Sequence, residues 1–463
     1  MGINDKIYND GKVSKVLLKF AVPAIISLLV LELYNMVDTV FVGRYVGADA
    51  IGGLTIAFPI QRLMIAIGML ISIGASTSVS RYIGERNIEH LKRTIVNAIM
   101  LTIVSLTVVI LIICLFKKSI ITALGASANT FSFADQYITI ILIGGIFQCL
   151  SIVICYIMNA LGNTRVNLYS NIIGSIFNIA INYILVVLMN YGVRGAAIAT
   201  VVSQILAFIF AISRFKDIKK NFDISFSFKY IRTVVEKEFI VNIITIGFST
   251  FIIEISDAVV SVILNNLLVS HGGDSAIIIV GVITKVSMFM FITIIGISSS
   301  MQPIVAYNYG RGNYTKMKEA LKTAIIAVSV ASTTFWIILM TFSSSIIGFF
   351  LKDSEILKDA VLAFRICISI IPVIGIYYIC IYYYQAIDEA KTSFLLSIYR
   401  QLVIFIPVSI IFVQLFGIVG AWIAYPVSDI ISAITSIHFI KQATEESDKH
   451  LFVPNNVIIN LKK

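Results

Sequence analysis

Residues 22 to 87 and residues 247 to 313 carry one pattern twice, and the repeat extends along the whole chain. Displacing the sequence by 225 lays the Val46-Gly47 turn on His271-Gly272 and Gly195-Ala196 on Gly420-Ala421. A displacement of 226 lays Gly84 and Asn87 on Gly310 and Asn313, Tyr156 and Asn159-Ala160 on Tyr382 and Gln385-Ala386, and Arg165 on Lys391. An offset that drifts by a single residue over such a length marks a tandem duplication of one half of about 225 residues. Each half holds six long apolar segments. An even number of crossings returns the chain to the side it left, so both halves enter a membrane in the same orientation. The expected fold is therefore an all-α polytopic membrane protein: twelve transmembrane helices in two six-helix bundles, related by a pseudo-two-fold axis along the membrane normal.

Apolar residues make up 58% of the chain and charged residues 13%, against about 45 to 50% and about 25% in soluble domains. Many segments run past about 18 residues almost without charge, which a buried soluble helix does not need. The predicted spans are 17–42, 53–80, 95–116, 134–161, 167–190 and 192–213, then 239–269, 276–308, 323–350, 360–386, 394–416 and 418–440. These divide the chain into a first bundle (1–213), a polar linker (214–238), a second bundle (239–440) and a tail (441–463). The linker reads as a tether, with amphipathic helix lying on the membrane surface. With the N-terminus inside, the inner segments hold 25 Lys and Arg and the outer loops 6, a positive-inside bias that places both termini in the cytoplasm and the protein in the cell (plasma) membrane. Contact with anionic lipid accounts for the net charge of +10, without nucleic acid as a partner. The polar, basic N-terminus and a first segment long enough to span give no sign of a cleavable signal peptide. Cys114, Cys149, Cys155, Cys367 and Cys380 all lie in apolar segments at spacings of neither a zinc site nor a disulfide framework.

A charge at mid-bilayer costs about 2.5 to 3.5 kcal/mol, so ionisable residues inside spans must neutralise, pair, or face the protein interior. Those residues are Glu32, Asp38 and Arg62 in the first half, and Glu254, Asp257, Lys285, Arg365, Arg400 and Asp429 in the second. Tyr34 and Asn35 precede Asp38 by one helical turn and extend its polar stripe. Asn178 and Asn182 stand one turn apart on the fifth span, and Thr200 lies on the sixth. One carboxylate, two amides and a hydroxyl suit a hard cation such as Na⁺, or a protonatable Asp; they equally suit interhelical hydrogen-bond glue. Glu254 and Asp257 sit three apart with Lys285 at similar depth on the next span, either as a buried ion pair or as a second proton or substrate-cation site. Arg62, Arg365, Arg400 and Asp429 are expected as structural partners. Aromatic faces attract organic cations, which makes Tyr377 and Tyr378 candidate substrate-cavity residues, together with Tyr34 and Asn35 on the first span and the adaptable Met288 and Met290 on the eighth; Tyr382 to Tyr384 read as an interfacial belt. Pro23, Pro59, Pro303, Pro372, Pro407 and Pro426 fall in or at the ends of spans, where they favour kinks.

Pro23, the run Tyr34-Asn35-Met36-Val37-Asp38-Thr39-Val40-Phe41-Val42-Gly43, the run Gly195-Ala196-Ala197-Ile198-Ala199-Thr200, and Gln302-Pro303-Ile304-Val305-Ala306-Tyr307-Asn308-Tyr309-Gly310 resemble the multidrug and toxic compound extrusion (MATE) family, over all twelve spans and in order. The resemblance implies secondary active efflux by alternating access, in which entry of H⁺ or Na⁺ drives out bulky organic, often cationic compounds. It implies that the coupling site comprises Asp38, Asn178, Asn182 and Thr200, with Na⁺ at Asp38 the one metal and no other cofactor. Several members have Asp where this chain has Asn182, which leaves one acid at the site. The expected partners are small organic molecules and membrane lipid, with the monomer as the functional unit. The alternative of related architecture is a flippase for lipid-linked sugars, which needs a basic cavity; Arg62 is the one intramembrane cation of the first half. An enzyme is not expected: His90, His271, His438 and His450 lie at no ligand spacing, and no nucleophile with its base is evident.

Overall fold

The computed structural model describes Tyr8, residues 12–351 and residues 354–452. Eleven helices among the described residues are long and apolar enough to cross a membrane, and a twelfth span is a pair of helices bent by 46°. In chain order they are α1 (Val13–Tyr45), α2 (Ala48–Glu85), α3 (Ile88–Leu115), α4 (Ala128–Ala160), α5 (Arg165–Leu188) and α6 (Gly192–Asn221). The second set is α7 (Lys237–His271), α8 (Ile278–Gly310), α9 (Tyr314–Thr341), α10 (Ile356–Cys367 with Ile371–Ala386), α11 (Ala390–Phe416) and α12 (Ile418–Gln442). Each predicted span follows one of these helices except 323–350, which overruns the end of α9 at Thr341 into a separate short helix, Ser343–Phe350. The helices run beyond the apolar windows because a helix does not stop where hydropathy does; it stops at a cap. Asn87 caps α3 by accepting the His90 amide at 3.1 Å, and its repeat mate Asn313 caps α9 by accepting the Lys316 amide at 3.1 Å.

The turns repeat as faithfully as the helices. Gly47 and Gly273, Arg86 and Gly312, Gly162 and Asp388, and Gly192 and Gly417 are pairs at offset 225 or 226, and all eight have positive φ. At Gly273 (φ 60°, ψ −155°) the chain turns from α7 into α8, a backbone conformation that a Cβ would strain. The bend in α10 falls just before Pro372, at the start of its second helix, where proline is tolerated but ends what precedes it.

Compact units do not divide at the linker. One unit comprises Met1–Tyr8 and Ile26–Glu254; the other comprises Asn9–Ile25 and Ile255–Lys463. The boundaries at 213 and 239 expected from polarity thus give way to boundaries inside α1 and α7. Packing is the reason. In the first unit, the Cα positions of Gly74 on α2 and Gly247 on α7 sit so close to the opposite helix that an added Cβ would lie 2.0 Å from Ile243 O and 1.8 Å from Leu70 O, respectively. Two glycines, each facing the residue four before the other, let antiparallel backbones touch, the small-residue mode by which membrane helices associate. Asn242 adds a hydrogen bond to Ser78 Oγ at 3.2 Å. In the second unit, Gly296 on α8 admits Ile25 of α1, whose side chain a Cβ would meet at 2.5 Å.

The linker is clasped, too. α6 continues to Asn221, Ser227 caps a short helix (Phe228–Val234), and the buried Asn97 on α3 donates to Val234 O at 2.8 Å and accepts from the Glu236 amide at 3.2 Å. Arg93 pairs with both Glu89 and Glu236.

Candidate functional site

α1, α5 and α6 bring Asp38, Asn178, Asn182 and Thr200 together in the first unit. Asp38 Oδ1 accepts from Asn178 Nδ2 at 3.1 Å and Asn182 Nδ2 at 2.6 Å, and Oδ2 accepts from Thr200 Oγ1 at 2.6 Å. Asn182 Nδ2 also reaches Asn178 Oδ1 at 3.1 Å. All four side chains are buried, Asp38 at 6% exposure and both asparagines at 0%. Among the described residues no Lys or Arg pairs with Asp38; every neighbour offering it a hydrogen is neutral. Tyr137 of α4, itself buried, lies within electrostatic range of Asp38. One atom is orphaned: among the described residues, none donates to the buried Asn182 Oδ1. The helix immediately after Asn182 turns into a π segment, Tyr183–Leu188, the kind of local widening that marks functional sites in helices.

A cavity of about 110 Å³ lies one turn along the same helices. Its lining includes Asn171, Gly174 and Ser175 of α5, Ser203 and Gln204 of α6, Leu28 and Leu31 of α1, Ile65 and Met69 of α2, and Gln148, Ser151 and Tyr156 of α4. Amides, hydroxyls and aliphatic side chains all contribute to its wall. Gln204 donates to Gln148 Oε1 at 3.1 Å, and Ser170 to Ala207 O at 3.1 Å. The polar stripe of α5 that begins at Asn178 and Asn182 thus continues through Ser175, Gly174 and Asn171. Sequence reasoning missed this extension, although the spacing of these residues at i, i+3, i+4, i+7 and i+11 carried it.

The second-half residues fall elsewhere than the sequence suggested. Three residues along a helix leave a rotation of about 60° between side chains, so Glu254 and Asp257 meet different neighbours. Glu254 pairs with Arg62 of α2 at 3.7 Å, and Asp257 accepts from Gln401 of α11. Lys285 is exposed on α8 and forms no ion pair among the described residues, so the expected Lys285 bridge to either acid is corrected to these partners. Tyr377 and Tyr378 are packed in the second unit: the Tyr377 hydroxyl donates to Leu396 O, and the Tyr378 ring stands edge-on to Tyr377 and Phe291. Neither lines the cavity. Tyr382, Tyr383 and Tyr384 are buried, and Tyr384 donates to Phe439 O at 2.9 Å, so they are core, and the interfacial belt expected there is corrected. Met288 is half-buried on α8 outside the cavity. The side chains of Tyr34 and Asn35 lie outside the described residues. Arg400 and Asp429 form a buried pair, with Nε and Nη2 at 3.0 and 2.9 Å from Oδ1, in the second π segment, Tyr399–Phe405, and its neighbour α12. Arg365 donates to Ser343 Oγ at 2.8 Å. These two arginines thus have polar partners within the second unit.

The sequence profile of the MatE family matches residues 23–184 and 247–411, the two halves of the repeat. The chain belongs to the MatE family. Among its relatives, the multidrug export protein MepA of Staphylococcus saprophyticus is 25% identical over 430 residues, covering 93% of this chain and 94% of that protein. MepA of Staphylococcus aureus is 25% identical over 431 residues with the same coverage. A solved structure described as an outward-facing conformation of a multidrug resistance MATE family transporter superposes with a TM-score of 0.89, at 21% identity, over 96% of this chain and 98% of that one. A MATE structure in complex with MaL6 gives 0.89 at 20% identity, over 97% and 99%. The MatE fold therefore extends over essentially the whole chain.

Proposed function

We propose that this MatE protein is a secondary active antiporter that exports organic, often cationic compounds in exchange for H⁺ or Na⁺ by alternating access, with both termini in the cytoplasm. The observation that carries the proposal is a buried carboxylate, Asp38, held by three neutral donors and paired with no cation among the described residues. Charge-assisted hydrogen bonds contribute about 1.5 to 3 kcal/mol each, enough to retain the acid within a span yet leave its charge uncompensated. Such a group attracts a small cation. For Na⁺ the fitting ligands are Asp38 and the side-chain oxygens of Asn178, Asn182 and Thr200, all hard donors. For H⁺ the protonated acid needs an acceptor, and rotation of the Asn182 amide turns its orphaned Oδ1 toward Asp38 in place of Nδ2. Either ion therefore reverses the polarity of the same contact.

The cavity supplies the substrate side. Asn178 and Thr200 stand one turn from its lining residues Gly174 and Ser203 on α5 and α6, so a rearrangement about Asp38 strains the cavity walls directly. Ion binding and substrate binding then compete through shared helices, as export against an entering ion requires. MepA's name, at 25% identity over most of both chains, supports multidrug export, and the matches do not favour the lipid-linked sugar flippase. The test is efflux of a fluorescent organic cation from vesicles under separate Na⁺ and pH gradients. Efflux driven by neither gradient overturns the antiport.

A further inference from the structure

The sequence assigned Arg62 no functional role, yet its surroundings are those of an ion exchanger. It lies on α2 one turn before Ile65 and two before Met69, on the face of α2 that borders the cavity. Its guanidinium lies 4.9 Å from the ring centre of Phe58, and its Nη1 is 3.7 Å from Glu254 Oε2, a long separation for an ion pair. Neither partner is sealed from its surroundings: side-chain exposure is 36% for Arg62 and 26% for Glu254. Glu254 in turn lies within electrostatic range of the Tyr156 hydroxyl, itself part of the cavity wall. By contrast, Arg400 and Asp429 show what a permanent pair looks like in this protein: two contacts of 3.0 Å or less, and exposures of 11% and 3%.

We propose that Arg62 is a tethered stand-in for substrate: it occupies Glu254 while the cavity is free, and an organic cation entering against Tyr156 displaces it from that carboxylate. The inference deepens the export reading above and rests on it for the class of substrate. The exchange conserves charge at Glu254, so substrate entry strands no carboxylate within the membrane, and the released guanidinium retains the Phe58 ring, since aromatic faces hold cations independently of carboxylates. It also makes charge a specificity filter. A neutral compound of the same shape gives Glu254 no replacement for Arg62 and must bind with the pair intact.

Equilibrium binding of ethidium to the purified full-length protein in lipid nanodiscs tests this, with a neutral polycyclic aromatic dye as control. Removing a partly exposed competitor by Arg62→Met is expected to tighten ethidium binding about five-fold and to leave the neutral dye unchanged. Arg62→Lys should bind as the parent does. Glu254→Gln in the Arg62→Met background should abolish the gain, and thermal melts establish that each variant is folded. Ethidium binding by the parent with no gain, or a loss, in folded Arg62→Met overturns the exchange while leaving export standing. An equal gain for the neutral dye overturns it as well, because that would reflect a merely enlarged cavity. Failure of every folded variant to bind ethidium overturns the organic-cation reading and the exchange together.

Discussion

Replacing Asp38 separates charge from packing. In Asp38→Asn, the retained oxygen can still accept from Asn178 and Asn182, now at 3.1 and 2.6 Å. The new amide can donate to Thr200 Oγ1, whose own hydrogen already has a second acceptor in Ala196 O at 3.1 Å. Every existing donor keeps an acceptor and only the second hydrogen of the new amide goes unmatched, so stability should fall by about 1 kcal/mol, the lower cost of one unmatched donor. Asp38→Ala differs. It removes the shared acceptor of two amides and a hydroxyl; each stranded donor costs about 1 to 3 kcal/mol. Thr200 retains Ala196 O, Asn182 retains Asn178 Oδ1, and Asn178 retains only the long contact to Thr200 Oγ1 at 3.4 Å, so the expected loss is near the lower end, roughly 2 to 4 kcal/mol. Both variants should lose ion-coupled efflux. Thermal melts of purified protein beside efflux of a fluorescent cation from vesicles measure the two quantities. Coupled efflux at the parental rate in Asp38→Asn refutes the role of the charge, and an Asp38→Asn melt as low as that of Asp38→Ala refutes the hydrogen-bond argument.

Asn182→Ala takes a charge-assisted bond from the carboxylate and one ligand from any cation, so the sign of its effect identifies the ion: half-maximal transport moves to higher pH if H⁺ is coupled, because the anion loses more than the acid does, and to higher Na⁺ concentration if Na⁺ is. Titration curves that overlay the parent's assign Asn182 to packing alone. Gly247→Ala should destabilise by about 1 to 3 kcal/mol, since its Cβ would enter Leu70 O, whereas Gly281→Ala, with nothing within 4 Å of the added carbon, should be neutral or stabilising by thermal melt. Arg400→Met strands Asp429 and should cost about 3 to 5 kcal/mol, most of it restored by Asp429→Asn in the same chain; a melt unchanged by the single substitution would show that the pair carries no structural load.

What could be read from sequence follows what repeats and what is local. The spans, their caps and the turns at offset 225 or 226 were legible because each is set by residues within one or two turns of chain. The Asp38 cluster was legible for a different reason: a carboxylate and amides in apolar helices need one another wherever they stand. Partner choice was not. Arg62 rather than Lys285 holds Glu254, because rotation about α7 and the close approach of α2 decide the contact, and neither leaves a trace in residue type. The cavity escaped notice because serine and glutamine cost little in a span and do not announce themselves as charges do. The tyrosines of α10 show the reverse error, for aromatic residues near a span's end suit the interface and the core equally.

The glycine contact between α2 and α7 bears on how the protein is made. A ribosome that has completed residues 1 to 236 has synthesised all of the first repeat but only part of the first compact unit, whose surface at Leu70 and Gly74 still awaits Ile243 and Gly247. The segment around Ile25 waits longer, for Gly296. The first repeat is thus an unfinished product when its last residue leaves the tunnel, and the insertion machinery must hold α1 and α2 in lipid, incompletely packed, until residues of the second repeat arrive. Duplication gave this chain two copies of one bundle; the exchange of helix halves ensures that neither copy completes its folding alone.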